Sequence, residues 1–217
     1  MLDFELNAVE ARVLGCLQEK EMATPEYYPL SLNGLVNACN QKSNREPVVS
    51  YDERTVVLAL DSLKDKHLVW QSDAARVPKY GQQLDKRFNL VAREKAVICL
   101  LLLRGPQTAG ELRGRSERLY GFGDLEEVSA TLQSLEEMGL VRKLPRQPGR
   151  KESRYAHMFA GEPENVEPVT MAAPEAATIQ VRAENERLAA LELQIETLRT
   201  ELQELRAVFL EFKRQFE

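Results

Sequence analysis

An uninterrupted apolar run at residues 96–103 constrains this chain more than any other stretch. The run is far shorter than the roughly 18 residues that a membrane-spanning helix needs, so it must be buried inside a folded domain. It is either a helix that is covered on all sides or a short buried strand. Gly105 and Pro106 break the chain after it.

Two further helix starts follow the apolar run. Thr108 lies three residues before Glu111, and Asp124 lies three residues before Glu127. In such a capping box each side chain accepts a hydrogen bond from a backbone N–H that the helix start leaves unpaired. Gly139 predicts the end of the later helix. If the apolar run is itself helical, three consecutive helices are predicted.

A β-hairpin is predicted after the third helix. Residues 140–144 and 153–159 are typical of strands, and Pro148 with Gly149 marks the turn between them. Three helices followed by a hairpin is the element order of a winged-helix domain. The hairpin is expected to be the wing, with basic residues at its tip.

Residues 1–92 show the same order of elements. The strands of a first hairpin are predicted at residues 68–70 and 88–90, with a long polar arm between them. Three helix starts are predicted here by capping residues, namely Asn7 with Glu10, Ser31, and Ser50 with Glu53.

The two halves can be aligned with each other. Residues 10–17 lie over residues 94–101 at a shift of 84 positions. This alignment predicts a mainly α fold with small β-hairpins (α+β), built as two tandem winged-helix domains at residues 1–92 and 93–160. The same prediction is supported by a shift of 72 positions, which aligns Val56, Leu60, Leu63 and Leu68 with Val128, Leu132, Leu135 and Leu140. Two unrelated small α+β domains are the alternative.

Residues beyond 160 have a different character. The stretch 161–178 contains three prolines, small residues and acids, which is typical of a flexible linker. Residues 179–217 carry apolar side chains at alternating spacings of three and four, which predicts a coiled-coil helix. The predicted dimerisation seam consists of Leu188, Leu191, Ile195, Leu198, Leu202, Leu205, Phe209 and Phe212.

A homodimer is the expected assembly of this coiled coil. In a parallel pair Arg187 would face Glu192, and Glu201 would face Arg206, so opposite charges would meet at both places. An antiparallel pair and an intramolecular pairing are the alternatives.

Charge and cysteine content bear on the protein's environment. The net charge is −5, with +1 in residues 1–160 and −6 in residues 161–217, so the acidity belongs to the tail. The three cysteines include no CxxC pair, which favours free thiols in a reducing compartment. No signal or membrane segment is recognisable, so a cytoplasmic protein that does not bind membranes is expected.

A resemblance to the bacterial YceH-like family of tandem winged-helix proteins is carried by residues 104–122 (RGPQTAGELRGRSERLYGF) and 144–157 (LPRQPGRKESRYAH). The first half is similar to the same family from Glu10 onward, in the residues EARVLGCLQEKEMATPEYYPLSLNGLVNACNQKSNREPV. The match covers nearly all of residues 1–160. The resemblance implies the tandem winged-helix fold, and it supplies no catalytic residues.

Enzymatic chemistry has little support in the sequence. Neither of the two histidines, His67 and His157, has a second histidine, cysteine or carboxylate at metal-ligand spacing. The glycines between residues 105 and 123 do not form a phosphate loop, because the order of strand, GxxxxGK[ST] and helix is missing. We therefore expect a protein that is not an enzyme and uses no cofactor, metal or small-molecule substrate.

Basic side chains in the second half suggest nucleic-acid phosphates as a partner. A basic hairpin that is merely solvated, or that pairs with acids of its own domain, is the alternative. The candidate nucleic-acid-binding residues lie on the hairpin and near the end of the second helix of this half: Arg113, Arg115, Arg118, Arg142, Lys143, Arg146, Arg150, Lys151 and Arg154.

Two functional hypotheses result. One is a dimeric DNA-associated regulator that contacts phosphates through its wings, with the loop at residues 40–45 as a candidate base reader. The other is a protein-interaction module of a larger complex that does not bind DNA directly. The second hypothesis is favoured by the third helix of the second half, whose acids would be repelled by DNA phosphates: Asp124, Glu126, Glu127, Glu136 and Glu137.

Overall fold

Seven α-helices and five short β-strands form the described part of the chain, which in this computed structural model comprises residues 2–74, 77–146 and 152–161. The protein is mixed α/β, with small antiparallel sheets. The predicted coiled coil at residues 179–217, the linker beyond residue 161, and the wing-tip residues Arg150 and Lys151 lie outside the described residues.

The first half of the described chain, up to residue 90, contains four helices and three strands. They are α1 (Ala8–Ala23), β1 (Leu30–Ser31), α2 (Leu32–Cys39), α3 (Glu53–Asp65), β2 (Val69–Ser72), β3 (Lys79–Gln82) and α4 (Leu84–Phe88). The strand β3 lies in the middle of the sheet and pairs antiparallel with both β1 and β2.

The second half, from residue 91 to residue 161, contains three helices and two strands. They are α5 (Ala92–Arg104), α6 (Ala109–Arg115), α7 (Leu125–Glu137), β4 (Val141–Lys143) and β5 (Tyr155–His157). The two strands pair antiparallel, which confirms the predicted hairpin. Gln107 adds an isolated antiparallel bridge to Tyr155 on the other edge of β5.

The predicted capping side chains of four helices are confirmed, although the box predicted at Asp124 and Glu127 is half formed, because the Glu127 carboxylate accepts from the N–H of Gly123. At α6 the Thr108 hydroxyl accepts a hydrogen bond from the N–H of Glu111 at 3.2 Å. The N–H of Thr108 in turn donates to the Glu111 carboxylate at 2.9 Å. The capping side chains of the four helices are Asn7, Ser31, Thr108 and Asp124.

The start of α3 differs from the prediction, which placed a capping box at Ser50 and Glu53. Asp52 caps the helix instead, and its carboxylate accepts a hydrogen bond from a backbone N–H three residues further on at 2.8 Å. The helix cannot begin earlier because residue 51 is held outside it. The N–H of Tyr51 donates to Oδ1 of Asn40 at 2.7 Å, and Nδ2 of Asn40 donates to the carbonyl of Tyr51 at 2.8 Å.

The first hairpin also differs from the prediction. Its first strand, predicted at residues 68–70, runs from Val69 to Ser72, and its partner is β3, which lies within the predicted polar arm. Residues 88–90 are not a strand. The helix α4 ends there at Phe88 and is followed by its C-cap residue Asn89, which has a left-handed φ of 51°.

The residues of β3 do not alternate between apolar and polar, which is the pattern that identifies a strand in a sequence. A side chain of the partner strand β2 covers β3 instead. The ring of Trp70 lies over Gly81, where a Cβ atom would come within 2.4 Å of the ring. Only glycine leaves room for this contact. The polar stretch therefore forms the central strand of the sheet.

The element boundaries of the two halves correspond to each other. Helices α3 and α7 begin at residues 53 and 125 and end at residues 65 and 137, so both ends are 72 positions apart. The strands β2 and β4 begin at residues 69 and 141, which is the same shift. Helices α1 and α5 begin at residues 8 and 92, which are 84 positions apart. Both predicted alignment shifts are thus found in the structure.

A buried glutamate links the first and third helices of each half. Ser134 donates a hydrogen bond to Glu94 at 2.9 Å, and Ser62 makes the equivalent bond with Glu10. Lys66 also donates to Glu10 at 2.7 Å. Burial opposes ionisation of Glu10, but these hydrogen bonds outweigh it, so its pKa lies below the ordinary value.

The apolar run is part of helix α5, and α1 provides its main cover. All residues from 96 to 103 are buried. The two helices approach closely at Gly15, whose carbonyl accepts a hydrogen bond from the thiol of Cys99 at 3.6 Å. Gly15 and Cys99 are equivalent positions under the 84-residue shift, so the first helices of the two halves meet through matching faces. One continuous apolar core therefore extends through both halves.

The predicted state of the cysteines is confirmed. Cys16, Cys39 and Cys99 are all free and buried. The thiol of Cys16 donates a hydrogen bond to the carbonyl of Ala38 at 3.3 Å, which joins α1 to the end of α2. Within the described residues, no helix combines the length and the apolar character that crossing a membrane requires.

Candidate nucleic-acid interface

The hairpin of β4 and β5 presents basic side chains at the surface of the second half. Arg142 and Lys143 lie exposed on β4, and Arg146 lies exposed just beyond it. The Nζ atom of Lys143 lies 5.9 Å from the centroid of the Tyr155 ring on the opposite strand. The hairpin thus holds cations and an aromatic ring together.

A cavity of about 370 Å³ lies at this hairpin. Its wall combines two cations with a hydroxyl group and an aromatic ring, which are groups that bind phosphate and stack on bases, and the carboxylate of Glu152 offsets one of the two positive charges. Sequence analysis did not identify Ser153 and Tyr155, although their spacing of two along a strand signals a shared face. The lining residues are Ala109, Lys143, Arg146, Glu152, Ser153 and Tyr155.

Two of the predicted phosphate-binding arginines make contacts inside the protein. Arg154 donates hydrogen bonds to the carbonyl of Pro106 and to Glu111, the latter at 3.1 Å. Arg115 donates to Oε1 of the buried Gln107 at 2.8 Å and lies 3.6 Å from Glu111. Arg154 therefore joins the start of β5 to α6, whereas Arg115 joins the end of α6 to the segment before this helix. The sequence did not reveal the role of Arg154 because this residue lies far from its partners along the chain.

Glu111 is the common partner of these arginines. Burial opposes its ionisation, but the hydrogen bond from the N–H of Thr108 and the charges of Arg154 and Arg115 outweigh burial. The pKa of Glu111 is therefore lower than its ordinary value. The carboxylate neutralises part of the basic cluster that the sequence suggested.

The remaining two predicted arginines lie at the end of α6. Arg113 is exposed and donates a hydrogen bond to the carbonyl of Gly123 at 2.9 Å, which braces the loop before α7. Arg118 is exposed in that loop.

Helix α7 presents acidic side chains to solvent. Glu126 and Glu137 are exposed, whereas Glu127 accepts hydrogen bonds from the hydroxyl of Tyr120 at 2.7 Å and the N–H of Gly123 at 2.9 Å. These bonds hold the pKa of Glu127 below its ordinary value. Glu136 accepts a hydrogen bond from the backbone N–H of Lys143 at 2.9 Å, so it caps an edge of β4.

The candidate base-reading loop at residues 40–45 uses its two end residues for folding. The guanidinium of the buried Arg45 donates to both carboxylate oxygens of Glu19, at 3.0 and 2.5 Å, and to the carbonyl of Ala38 at 3.0 Å. Asn40 is bonded to Tyr51, as described above. Lys42 and Ser43 are the loop side chains that are exposed without such a role.

The structure shows no candidate metal site among the described residues. Over the described ranges, no three His, Cys, Asp or Glu side chains are arranged to hold a metal ion. His67 is exposed, and the Nδ1 atom of His157 is shielded from solvent without a hydrogen-bond partner among these residues.

Comparison with known proteins identifies the family. The family described as "Protein of unknown function, DUF480" matches residues 6–150. A UPF0502 protein of Geobacter sulfurreducens is 57% identical over 219 residues, with all of both chains covered. UPF0502 proteins of Solibacter usitatus and Geotalea uraniireducens are 52% and 55% identical, again with full coverage of both chains. The chain therefore belongs to the DUF480 family, which is the YceH-like family that its sequence resembles and whose relatives carry the name UPF0502.

Proposed function

We propose that this protein is a non-enzymatic, DNA-associated tandem winged-helix protein that contacts DNA phosphates through the hairpin of its second half. The observation that carries the proposal is the group of exposed cations on this hairpin, where Lys143 and Arg146 line a cavity beside Tyr155. Arginine and lysine at such a surface favour phosphate through charge and through release of counterions from DNA.

The order of elements supports the winged-helix assignment. In each half, three helices are followed by an antiparallel hairpin, and the third helices and hairpins start 72 positions apart. A short strand or bridge before the second helix also pairs with the hairpin in both halves, at Leu30 and at Gln107. The matching arrangement supports a duplicated domain.

The binding is proposed to depend weakly on DNA sequence. Helix α7 has no lysine or arginine, and it exposes Glu126 and Glu137 where a base-reading helix would need donors for base edges. Phosphate contacts fix position without reading sequence. A regulator of this kind would need its second copy, or another protein, to select a site.

The assembly is proposed to be a homodimer formed by the seam from Leu188 to Phe212, which lies outside the described residues. The three buried free thiols support a further proposal, that the protein works in the reducing cytoplasm.

Charge reversal at the hairpin tests the proposal. Lys143→Glu combined with Arg146→Glu should abolish binding to duplex DNA at about 100 mM salt, because two phosphate contacts become repulsive. Replacing both with Ala should lower the slope of log affinity against log salt by about two units. Fluorescence anisotropy with labelled duplexes measures both effects.

A matched control reverses two exposed cations elsewhere. Lys86→Glu with Arg93→Glu changes the net charge equally and should retain DNA affinity within about threefold, because long-range charge effects are screened at this salt concentration. Equal losses in both variants, or no salt-sensitive DNA affinity of the unaltered protein at about 50 mM salt, would rule out the hairpin as a phosphate clamp.

A protein-interaction module is the second candidate, and helix α7 favours it. Leu125 and Met138 at the two ends of this acidic helix are 48% and 40% exposed, which suits a protein surface better than DNA. Glu126→Gln with Glu137→Gln should strengthen DNA binding if α7 lies near the DNA backbone. It should leave DNA affinity unchanged if α7 faces a protein.

A further inference from the structure

Both halves carry a cavity at the same place in the repeat. Gln71 pairs with Tyr80 and Lys143 pairs with Tyr155, and residues 71 and 143 are related by the shift of 72 that relates α3 to α7. Tyr80 and Tyr155 are therefore equivalent. Each lines a cavity between its strand and the start of the second helix of its half, α2 or α6.

The two cavities differ in chemistry at equivalent positions. In the second half, the first residue of α6 and the residues two and three before Tyr155 are Ala109, Ser153 and Glu152. The corresponding residues of the first half are Leu32, Pro78 and Val77, all apolar. We call this larger cavity, of about 700 Å³, the first-half groove; it is lined by Ser31, Leu32, Asn33, Glu53, Val77, Pro78, Lys79 and Tyr80.

The cation beside each tyrosine also differs in its surroundings. Arg154, next to Tyr155, is bonded to Glu111 at the third position of α6. Lys79 takes the place of Arg154, but the third position of α2 is Gly34, which provides no carboxylate. In the part of the chain that the structure describes, the Lys79 side chain has no hydrogen-bond or ion-pair partner.

An exposed apolar side chain in a concave surface favours a ligand that covers it, and the ammonium of Lys79 beside it favours a ligand that also carries a negative charge. Val77 is 50% exposed. The groove volume lies within the range of about 300–1,000 Å³ that is usual for ligand pockets. A phosphate chain would have to lie on apolar Leu32 and Val77, and Lys79 is the single cation among the described residues that line this groove, whereas Lys143 and Arg146 both line the second-half cavity. Nucleic acid therefore fits the first-half groove poorly.

We propose that the first-half groove docks a peptide segment of a partner protein, with an aromatic or branched aliphatic side chain against Leu32, Val77 and Tyr80 and a neighbouring carboxylate beside Lys79. The first half then recruits a protein through the same part of the repeat that faces phosphates in the second half. The inference does not depend on DNA binding by the second half.

The test starts from a phage-displayed library of random 12-residue peptides, selected on the full-length protein. Selected peptides should share an aromatic or branched aliphatic residue next to Asp or Glu. A synthetic peptide with this consensus should bind at least tenfold more weakly to Val77→Glu and to Lys79→Glu, measured by fluorescence polarisation. Val48→Glu is the matched control, since Val48 is 56% exposed in the same half and outside the groove, and it should bind normally.

A charge swap makes the test specific. The Lys79→Glu protein should bind a peptide in which Lys replaces the acidic residue, at least tenfold better than it binds the original peptide. Thermal melting checks that each variant is folded, and the DNA affinity of Val77→Glu should equal that of the unaltered protein.

Three results would overturn the proposal. One is the absence of a shared apolar and acidic pattern among the selected peptides. Another is a consensus peptide that binds Val77→Glu and Val48→Glu equally well. The third is a consensus that matches a segment of residues 162–217, which would assign the groove to the protein's own tail. None of these results would affect the proposal that the hairpin of β4 and β5 binds DNA, because that proposal is tested by measuring DNA affinity.

Discussion

His67 has a backbone conformation that its side chain disfavours. Its φ is 55°, in the left-handed region where residues with a Cβ are strained. The equivalent residue 72 positions later is Gly139, whose φ is 72°. Both residues follow the third helix of their half and allow the chain to turn into the hairpin. Glycine suits this position because it has no Cβ to clash.

His67→Gly should therefore stabilise the protein. We expect the free energy of unfolding to rise by about 0.5–1 kcal/mol, because glycine relieves the backbone strain at residue 67. Glycine also makes the unfolded chain more flexible, and this offsets part of the gain. Urea denaturation measures the change. His67→Ala should give no such gain because alanine keeps the Cβ, and a gain as large as that of glycine would show that strain is not the cause.

His157 makes stability depend on pH. Burial lowers its pKa to about 4, whereas in the unfolded chain the pKa is about 6.5. The unfolded state therefore binds the proton more readily than the folded state between these values. Stability is complete above about pH 6.5 and falls as the pH decreases towards 4, by about 2 kcal/mol between pH 7 and pH 5.

Replacing His157 should reduce this loss. In His157→Gln, the difference in unfolding free energy between pH 7 and pH 5 should be smaller by about 2 kcal/mol than in the unaltered protein. His67→Asn is the control, because His67 is exposed and asparagine tolerates its left-handed backbone. An equal loss on acidification in both variants would assign the pH dependence to other groups.

At the scale of elements, the contact between α1 and α5 depends on the absence of a side chain. A Cβ on residue 15 would lie 2.9 Å from Cδ2 of Leu103 and 3.0 Å from Cβ of Leu102. Leu103 could rotate, but Cβ of Leu102 is fixed to its helix backbone. The close approach therefore requires Gly15 in the middle of α1, although glycine is a poor helix former.

Gly15→Ala should destabilise the protein by about 1–3 kcal/mol, because overpacking outweighs the gain of about 1 kcal/mol in helix preference. Gly114→Ala in α6 is the control, since no atom lies within 4 Å of a Cβ built there, and it should raise stability by about 0.5–1 kcal/mol. Thermal melts of the two variants should thus shift in opposite directions. A stabilised Gly15→Ala protein would mean that the helices can move apart freely.

The helices were predicted more accurately than the first sheet. Capping residues and their partners lie three positions apart, so the starts of α1, α2, α6 and α7 are visible in the sequence. The pairing of β2 with β3 depends on Trp70 covering Gly81 across the sheet. Such a contact has no local pattern, so the sequence favours the more apolar residues 88–90 as the strand, and this prediction is wrong.

At the scale of the whole molecule, the two halves share one core and should unfold together. Leu60 and Leu132 occupy equivalent positions in the two third helices, and each is 1% exposed. Replacing either with Ala should cost about 2–5 kcal/mol. The single tryptophan, Trp70, lies in the first half and reports on unfolding there.

Leu132→Ala should shift the Trp70 fluorescence transition in urea to lower concentration, although the substitution lies in the second half. The surface control is Leu58→Ala, which is 62% exposed and should change stability by less than about 0.5 kcal/mol. An unshifted Trp70 transition in Leu132→Ala, accompanied by loss of helix signal at lower urea, would show that the halves unfold independently.

The candidate interface was predicted in part. A basic hairpin was expected from Lys143 and Arg146, and the structure places both at a surface cavity. Arg115 and Arg154 are predicted to bind phosphate as well, but Arg154 is bonded to Glu111 of α6 and Arg115 is bonded to Gln107. A count of charges does not distinguish these two roles, because the partner of a surface arginine depends on which backbone and carboxylate groups the fold brings near it.

The sequence alone determined where most helices start, that the chain repeats itself, and that residues 96–103 are buried. These properties arise from interactions between neighbouring residues and from the pattern of apolar side chains, both of which can be recognised without coordinates. The tertiary structure alone decided that α1 covers α5 at Gly15, that Lys79–Gln82 is the central strand, and which arginines are committed to the fold. Each of these depends on distances between residues far apart in the chain, and such distances are set only when the two halves close around one core.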